Sequence, residues 1–394
     1  MNPRCPPRRR EDHPLDVAHT VIPRLRVFAS VVAPLRLCAV LWTLACAQSP
    51  VAPVPLDGAT YWPEAAWRRA EPEAVGFDGG GLRELVADLR SNHIPGIHSL
   101  IVVRQGYLAV EEYFNGADAE QLHTLQSDTK SVTSLLVGIA VGQGSIPSIA
   151  RPVLEFFPEY PTVQHLDARK EAITLRDLLT MRTGLDWSEN PYEGSPLQQL
   201  NAIRDGWLRF VLDWPMRDSP GTRFEYNSGG VIVLGGVIYN TTGIPADEFA
   251  RRNLFEPIGI TRFSWIRGGP NGLPHMGGGL SLRAVDMARI GYLVLRNGKW
   301  RERQVVPAGW LAESLAPAVA PTGWSFGGKP VEYGYLWWRL PLPDAGVIYT
   351  ASGAQGQWIF IIPRYDIVIA VTSNTPQFDL PVRFLYDRIL PAVR

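Results

Sequence analysis

The sequence predicts an α+β fold: an antiparallel β-sheet built from both chain ends, flanked by helices and carrying a mostly helical inserted subdomain. Three observations lead there. Two β-prone runs, HSLIVV from His98 and YLAVEEYF from Tyr107, bracket the turn-forming RQG and read as a hairpin. Between about 145 and 275, helical patterns alternate with Pro/Gly-rich loops. Strand character then returns in AGVIYTAS, QWIFII and IVIAVTS, short β-branched and aromatic runs separated by glycine or by Pro-Arg-Tyr-Asp.

In chain order, Ser127-Asp128-Thr129-Lys130 precedes the apolar stretch SVTSLLVGIAVGQG. Serine and threonine favour helix starts, Asp128 suits the positive end of the helix dipole, and Gly144 is a natural stop, so a buried helix is expected to begin at Ser127. Thr174-Leu-Arg-Asp177 before LLTMRT has the form of a capping box, with Gly184 as the expected C-cap. A further helix is expected from Ser281 to Asn297-Gly298, and an amphipathic one over Leu380 to Leu390. An α/β lobe would then comprise about 76–145 and 275–394, a helical lobe about 146–274, and a cleft would lie between them.

A 46 % hydrophobic content over 394 residues supplies a sizeable core. Lysine plus arginine (38) balance aspartate plus glutamate (38), so no global field draws the chain to nucleic acid or an anionic membrane, and a neutral small molecule is the better-suited partner. Cys5, Cys38 and Cys46 all fall near the start, leaving the body without an internal disulfide, a thiolate nucleophile or a Cys-ligated zinc. The seven histidines form no H-E-x-x-H or comparable cluster, and no cofactor or metal is expected.

Residues 1–47 read as an export segment, with a basic stretch ending at Arg36, the apolar run Leu37 to Leu44, and the cleavage-like Ala45-Cys46-Ala47. Lipid attachment at Cys46 and an uncleaved anchor are the alternatives, although the run is short for a bilayer. Residues 48–75 are Pro/Ala-rich and read as a tether.

Chemistry converges on Ser127. A serine hydroxyl needs a neighbouring base to become a nucleophile. Residues i and i+3 of a helix share a face, about 5–6 Å apart at Cβ, which brings the Lys130 amine to the Ser127 hydroxyl. Burial in the apolar helix would favour the neutral amine. The chain has only four lysines, Lys130, Lys170, Lys299 and Lys329, against 38 basic residues in all, and only Lys130 follows a Ser or Thr by three. Arginine does not deprotonate in proteins, so a lysine at this position suggests a titratable amine. The opposing reading is an N-cap serine followed by a solvated first-turn lysine.

The motifs resemble the serine β-lactamase and penicillin-recognising family, in its class C-like branch of esterases, D-amino-acid peptidases and 6-aminohexanoate-dimer hydrolases. The likeness covers roughly 76–390 and rests on SDTKS at Ser127, ITLRDLLTMRTGL from Ile173, PGTRFEYNSGG from Pro220, GGGLSLRAVDMARIG from Gly277 and ASGAQGQWIFIIP from Ala351. It implies an acyl-enzyme on Ser127, with the Tyr226 phenol shuttling a proton beside Lys130 and Ser228 shaping the network or meeting substrate. It further implies Ser352 and Gly353 on a cleft-lining strand, and an oxyanion hole from the Ser127 and Ala354 N–H groups.

Ala351 departs from the Lys or His common at that place. One cation that would hold a substrate carboxylate is therefore missing, which favours simple esters and linear amides over β-lactams. His275, just before the GGG run, is a candidate substrate contact at the cleft rim, weighed against an ordinary loop histidine. Trp187, Trp337 and Trp338 are read as core rather than pocket. Gly323-Trp324-Ser325-Phe326-Gly327 matches the G-x-S-x-G of α/β-hydrolases, but no histidine follows it and its flanks read as loop, so the match is taken as coincidence.

Overall fold

The computed structural model describes residues 61–63, 66–268 and 272–394. The export segment and the first part of the expected tether lie outside these residues. The dominant element is a seven-stranded antiparallel sheet, comprising β1 (Ile97–Arg104), β2 (Tyr107–Tyr113), β3 (Glu332–Tyr333), β4 (Trp338–Leu342), β5 (Gly346–Gly353), β6 (Gln357–Ile362) and β7 (Ile367–Ser373) in the order β3-β4-β5-β6-β7-β1-β2. Residues from the two ends of the body meet where β1 pairs with β7, placing Leu100 opposite Val371. The β1–β2 hairpin turns on Gln105 and Gly106, both with positive φ, the backbone that matches strand twist in a two-residue turn. The expected sheet from both chain ends is thus the observed one.

Strands β6 and β7 are buried at every position, as strands covered on both faces must be. The helices that fix the architecture are α1 (Gly79–Arg90), α2 (Asp128–Gly142), α3 (Ser228–Thr242) and α4 (Ala284–Leu295). Helix α4 packs across β1, β6 and β7. It approaches so closely that a Cβ on Gly291 would lie 2.5 Å from Val368 Cγ1. Helix α2 runs beneath the end of β5 and against α3, and both helices are apolar on nearly every face, as the buried core of a domain requires. The short helices Leu175–Leu179 and Trp207–Leu212 pack around α3 as the helical lobe. Among the described residues, no single helix is long and apolar enough to cross a membrane.

Several local expectations are corrected. The Thr174/Asp177 capping box forms, but its helix stops at Leu179 because Met181 turns to positive φ, so Gly184 is not its C-cap. The Gly184 carbonyl instead accepts from the amides of Arg217 and Asp218. Ser281 does not start a helix: it sits in a small three-stranded sheet opposite Thr124 and Ser264, and α4 begins three residues later. The expected tether is also partly structured. Residues 68–70 bridge in parallel to Leu108, covering the free edge of β2, and Tyr61 stacks on Tyr107 at 5.1 Å. The terminal helix opens at Leu380 and continues, in wider and then tighter turns, to Ala392.

Candidate active site

The segment leading into α2 is clamped from two sides. The Leu125 amide donates to the Leu280 carbonyl (2.8 Å), and the Leu280 amide donates to Thr129 Oγ1 (3.2 Å). Ser127 occupies the N-cap position of α2, but its side chain makes no capping bond. The hydroxyl faces Lys130 instead, with Oγ 2.9 Å from Nζ. The serine is therefore not there to start the helix, and the lysine is not a solvated first-turn cation. Lys130 is 1 % exposed, and its amine also donates to the Gly277 carbonyl at 2.5 Å.

Burial sets the state of the amine. Desolvation lowers the Lys130 pKa from its usual 10.5 to about 8, partly opposed by the negative charges of Glu189 and Asp128. The Lys130 nitrogen also lies 4.8 Å from the centre of the Tyr226 ring. The Tyr226 phenol also interacts with Ser127, so lysine and tyrosine both bear on the serine. Burial raises the phenol's pKa, opposed by Ser127, with Glu189 and Asp128 adding to the rise. The two groups are thereby sorted: the amine releases its proton far more readily than a free lysine, and the phenol holds its proton more tightly than a free tyrosine.

Strand β5 ends beside this cluster. A Cβ on Gly353 would lie 2.2 Å from the Leu125 carbonyl oxygen, so only glycine lets the strand end come this near the segment that carries Ser127. The residue after it, Ala354, is exposed. Among the described residues, neither the Ser127 nor the Ala354 N–H is spent on a backbone carbonyl in the turns that hold them. Ser352 is buried on β5 opposite Trp358, and Ala351 is fully buried, so no charge stands where the family commonly has Lys or His.

Ser228 opens α3 and joins the hydrogen-bond network there, its hydroxyl donating to Glu189 Oε2 at 3.0 Å. His275 is not at the rim. It is 8 % exposed, with its ring edge-on to Trp207 at 5.2 Å and Nε2 3.2 Å from Asn201 Oδ1. Burial, aided by the nearby Lys130 charge, pulls its pKa down to about 4, so it is neutral in ordinary buffers. Trp187 and Trp337 are core residues, as read, and Trp338 is buried at the centre of an aromatic group that includes Tyr226.

Glu189 was not singled out from the sequence. Its Oε1 accepts from Trp187 Nε1 (2.8 Å) and from the Ser228 amide at the head of α3, while its charge bears on Lys130, Tyr226 and Tyr333. It lies in an irregular loop with no periodicity to mark it, and its role follows from the charge it brings to bear on Lys130, 59 residues away in sequence. The other unforeseen group is Asp128, whose carboxyl is buried without a hydrogen-bond partner and whose pKa is raised well above the ordinary range by that burial.

Glu189→Gln keeps the shape and the acceptor oxygen while removing the charge that favours the Lys130 ammonium. The amine's pKa then falls further, and the acid limb of the kcat/KM profile moves to lower pH by about one unit. A pH-rate profile of the variant whose acid limb coincides with wild type, or moves upward, contradicts this role.

The 6-aminohexanoate-dimer hydrolase of Paenarthrobacter ureafaciens is 25 % identical over 295 residues, 71 % of this chain and 73 % of the relative. An octameric penicillin-binding protein homologue from Pyrococcus abyssi superposes with a TM-score of 0.60 at 20 % identity, over 78 % of this chain and 77 % of that one. EstCE1, a hydrolase with promiscuous acyltransferase activity, does so at 0.62 and 17 %, over 75 % and 94 %. At these identities the two structures establish a shared fold. A family model described as Beta-lactamase matches residues 82–393, a span that holds Ser127, Lys130, Tyr226 and the close of β5 together, and the chain accordingly belongs to the beta-lactamase family of hydrolytic enzymes.

Proposed function

We propose that this enzyme cleaves esters or linear amides of small molecules by acyl transfer through Ser127. The observation that carries the reading is the 2.9 Å approach of a buried lysine amine, its pKa lowered to about 8, to a hydroxyl with no other structural duty. In the first step the Ser127 proton passes to neutral Lys130 while Oγ attacks the carbonyl carbon. The resulting oxyanion is held by the Ser127 and Ala354 N–H groups. The leaving alcohol or amine departs with the proton of the Tyr226 phenol, which Lys130 replenishes. Water then attacks the acyl-enzyme with the same groups acting in reverse, and the acid leaves.

The substrate preference rests on charge. Ala351 is buried where a cation would grip a substrate carboxylate, and Glu189 adds a negative charge beside the base. Both disfavour a β-lactam or a peptide ending in a free carboxylate next to the reacting bond. The relative named a 6-aminohexanoate-dimer hydrolase supports a linear amide as one such substrate. The catalytic residues all being in place weighs against a purely binding role. We further propose that the chain is exported by its first 47 residues.

Labelling with a fluorophosphonate followed by mass spectrometry tests both proposals. One adduct, on Ser127, is expected in a protein whose intact mass starts near Gln48. No label at high probe concentration removes the acyl-transfer reading, and an intact residue 1 removes cleavage of the leader. Hydrolysis of nitrocefin faster than of short p-nitrophenyl esters would shift the substrate class to β-lactams.

A further inference from the structure

The Gly323–Gly327 segment, set aside as a nucleophile motif, returns in another capacity. Ser325 and Phe326 form a two-residue strand with Lys329–Pro330, and Trp324 sits just ahead of it on a turn closed by its amide to the Pro321 carbonyl. Glycines 323, 327 and 328 all take positive φ, which bends the hairpin tightly. Trp324 is one of few large apolar side chains exposed among the described residues, at 39 %.

Its ring is not isolated. It stacks on buried Trp338 at 5.1 Å and 30°, and lies 5.7 Å from the ring of Tyr226, which itself stacks on Trp338 at 6.0 Å and 20°. Phe224 closes the group edge-on to Trp324 at 5.8 Å. The result is a stacked aromatic group that begins in solvent at Trp324 and ends at Tyr226, the phenol beside Ser127. Rigid aromatic surfaces of this kind hold flat apolar partners at little entropic cost.

We propose that Trp324 forms the leaving-group subsite, selecting uncharged, flat apolar alcohols or amines that stack on its exposed face. This rests on the acyl-transfer reading above, because it is there that Tyr226 gives its proton to the leaving atom. The leaving group must therefore lie on the Tyr226 side of Ser127, and Trp324 extends that side outward. The Glu189 charge, felt by both Tyr226 and Tyr333 within the same aromatic group, turns anionic leaving groups away.

Ethyl, phenyl and 2-naphthyl acetate share one acetyl-enzyme and differ only in the alcohol, so they isolate the subsite. Trp324→Ala should lower the 2-naphthyl to ethyl ratio of kcat/KM about tenfold, the effect of one lost aromatic stack, and Trp324→Phe should restore most of it. An unchanged ratio, or a loss that instead follows acyl chain length from p-nitrophenyl acetate to octanoate, overturns the proposal. Binding of 2-naphthol to Ser127→Ala protein, read by calorimetry, removes turnover from the question. About tenfold weaker binding on adding Trp324→Ala supports the subsite, and undiminished binding overturns it. An enzyme inert toward every ester that still binds 2-naphthol through Trp324 overturns only the acyl-transfer reading.

Discussion

Replacing Ser127 by alanine is expected to abolish ester turnover, lowering kcat by about 10⁵-fold or more, while the protein stays folded. Removing the nucleophile of a concerted set loses nearly the whole of its contribution, because base and proton donor have nothing left to act upon. The fold should tolerate the change, since Ser127 makes no side-chain cap to α2 and the segment is held by the Leu125 and Leu280 amides instead. A melting temperature within a few degrees of wild type, together with loss of p-nitrophenyl acetate hydrolysis, is the expected pair of results. Retained hydrolysis above a hundredth of wild type would mean that another residue attacks the carbonyl.

The second large effect concerns the base. Lys130→Arg should lower kcat/KM by about 10³-fold, because a guanidinium stays protonated and accepts nothing from the serine. Arginine is also bulkier in a site that is 1 % exposed, so Lys130→Met, which fits the same volume, serves as the companion variant. Both should be comparably inactive, and wild-type-like turnover in either removes the amine from the mechanism. The wild-type enzyme carries the complementary signature. Lys130 must be neutral to act, so kcat/KM should climb tenfold per pH unit and level off above about 8, where the buried amine has lost its proton. At pH 6 the rate would stand about a hundredfold below that plateau. The same shift bears on stability: the amine binds its proton more weakly folded than unfolded, so stability rises with pH between about 8 and the usual 10.5.

Much of the site was legible because its signals are local. Spacing alone put Lys130 on the same helix face as Ser127, and the scarcity of lysine in an arginine-rich chain marked it as chosen for titration. The apolar stretch after it announced burial of α2. The resemblance carried Tyr226, Gly353 and Ala354, and the structure brings Tyr226 and Gly353 to the segment that carries Ser127, with Ala354 next in the chain. His275 was misplaced because a histidine beside three glycines reads as loop, whereas packing on Trp207 and Asn201 draws it into the interior. The resemblance leaves Ser228 as a network or substrate group, and the Glu189 carboxylate that its hydroxyl meets is not visible near it in sequence. The helix expected at Ser281 failed for a related reason: a strand partner, Thr124, came from another part of the chain and overrode the local preference.

The sequence by itself determined the hairpin, the C-terminal strands, the buried helix and the serine–lysine pairing, since each follows from periodicity or spacing within one short segment. Only the tertiary structure decided that burial brings the amine's pKa down to about 8, that the Glu189 charge bears on it, and that the Trp324 ring lies 5.7 Å from that of Tyr226. Those properties arise from enclosure and from the distances between charges, and both exist only once segments far apart in the chain have closed around one another.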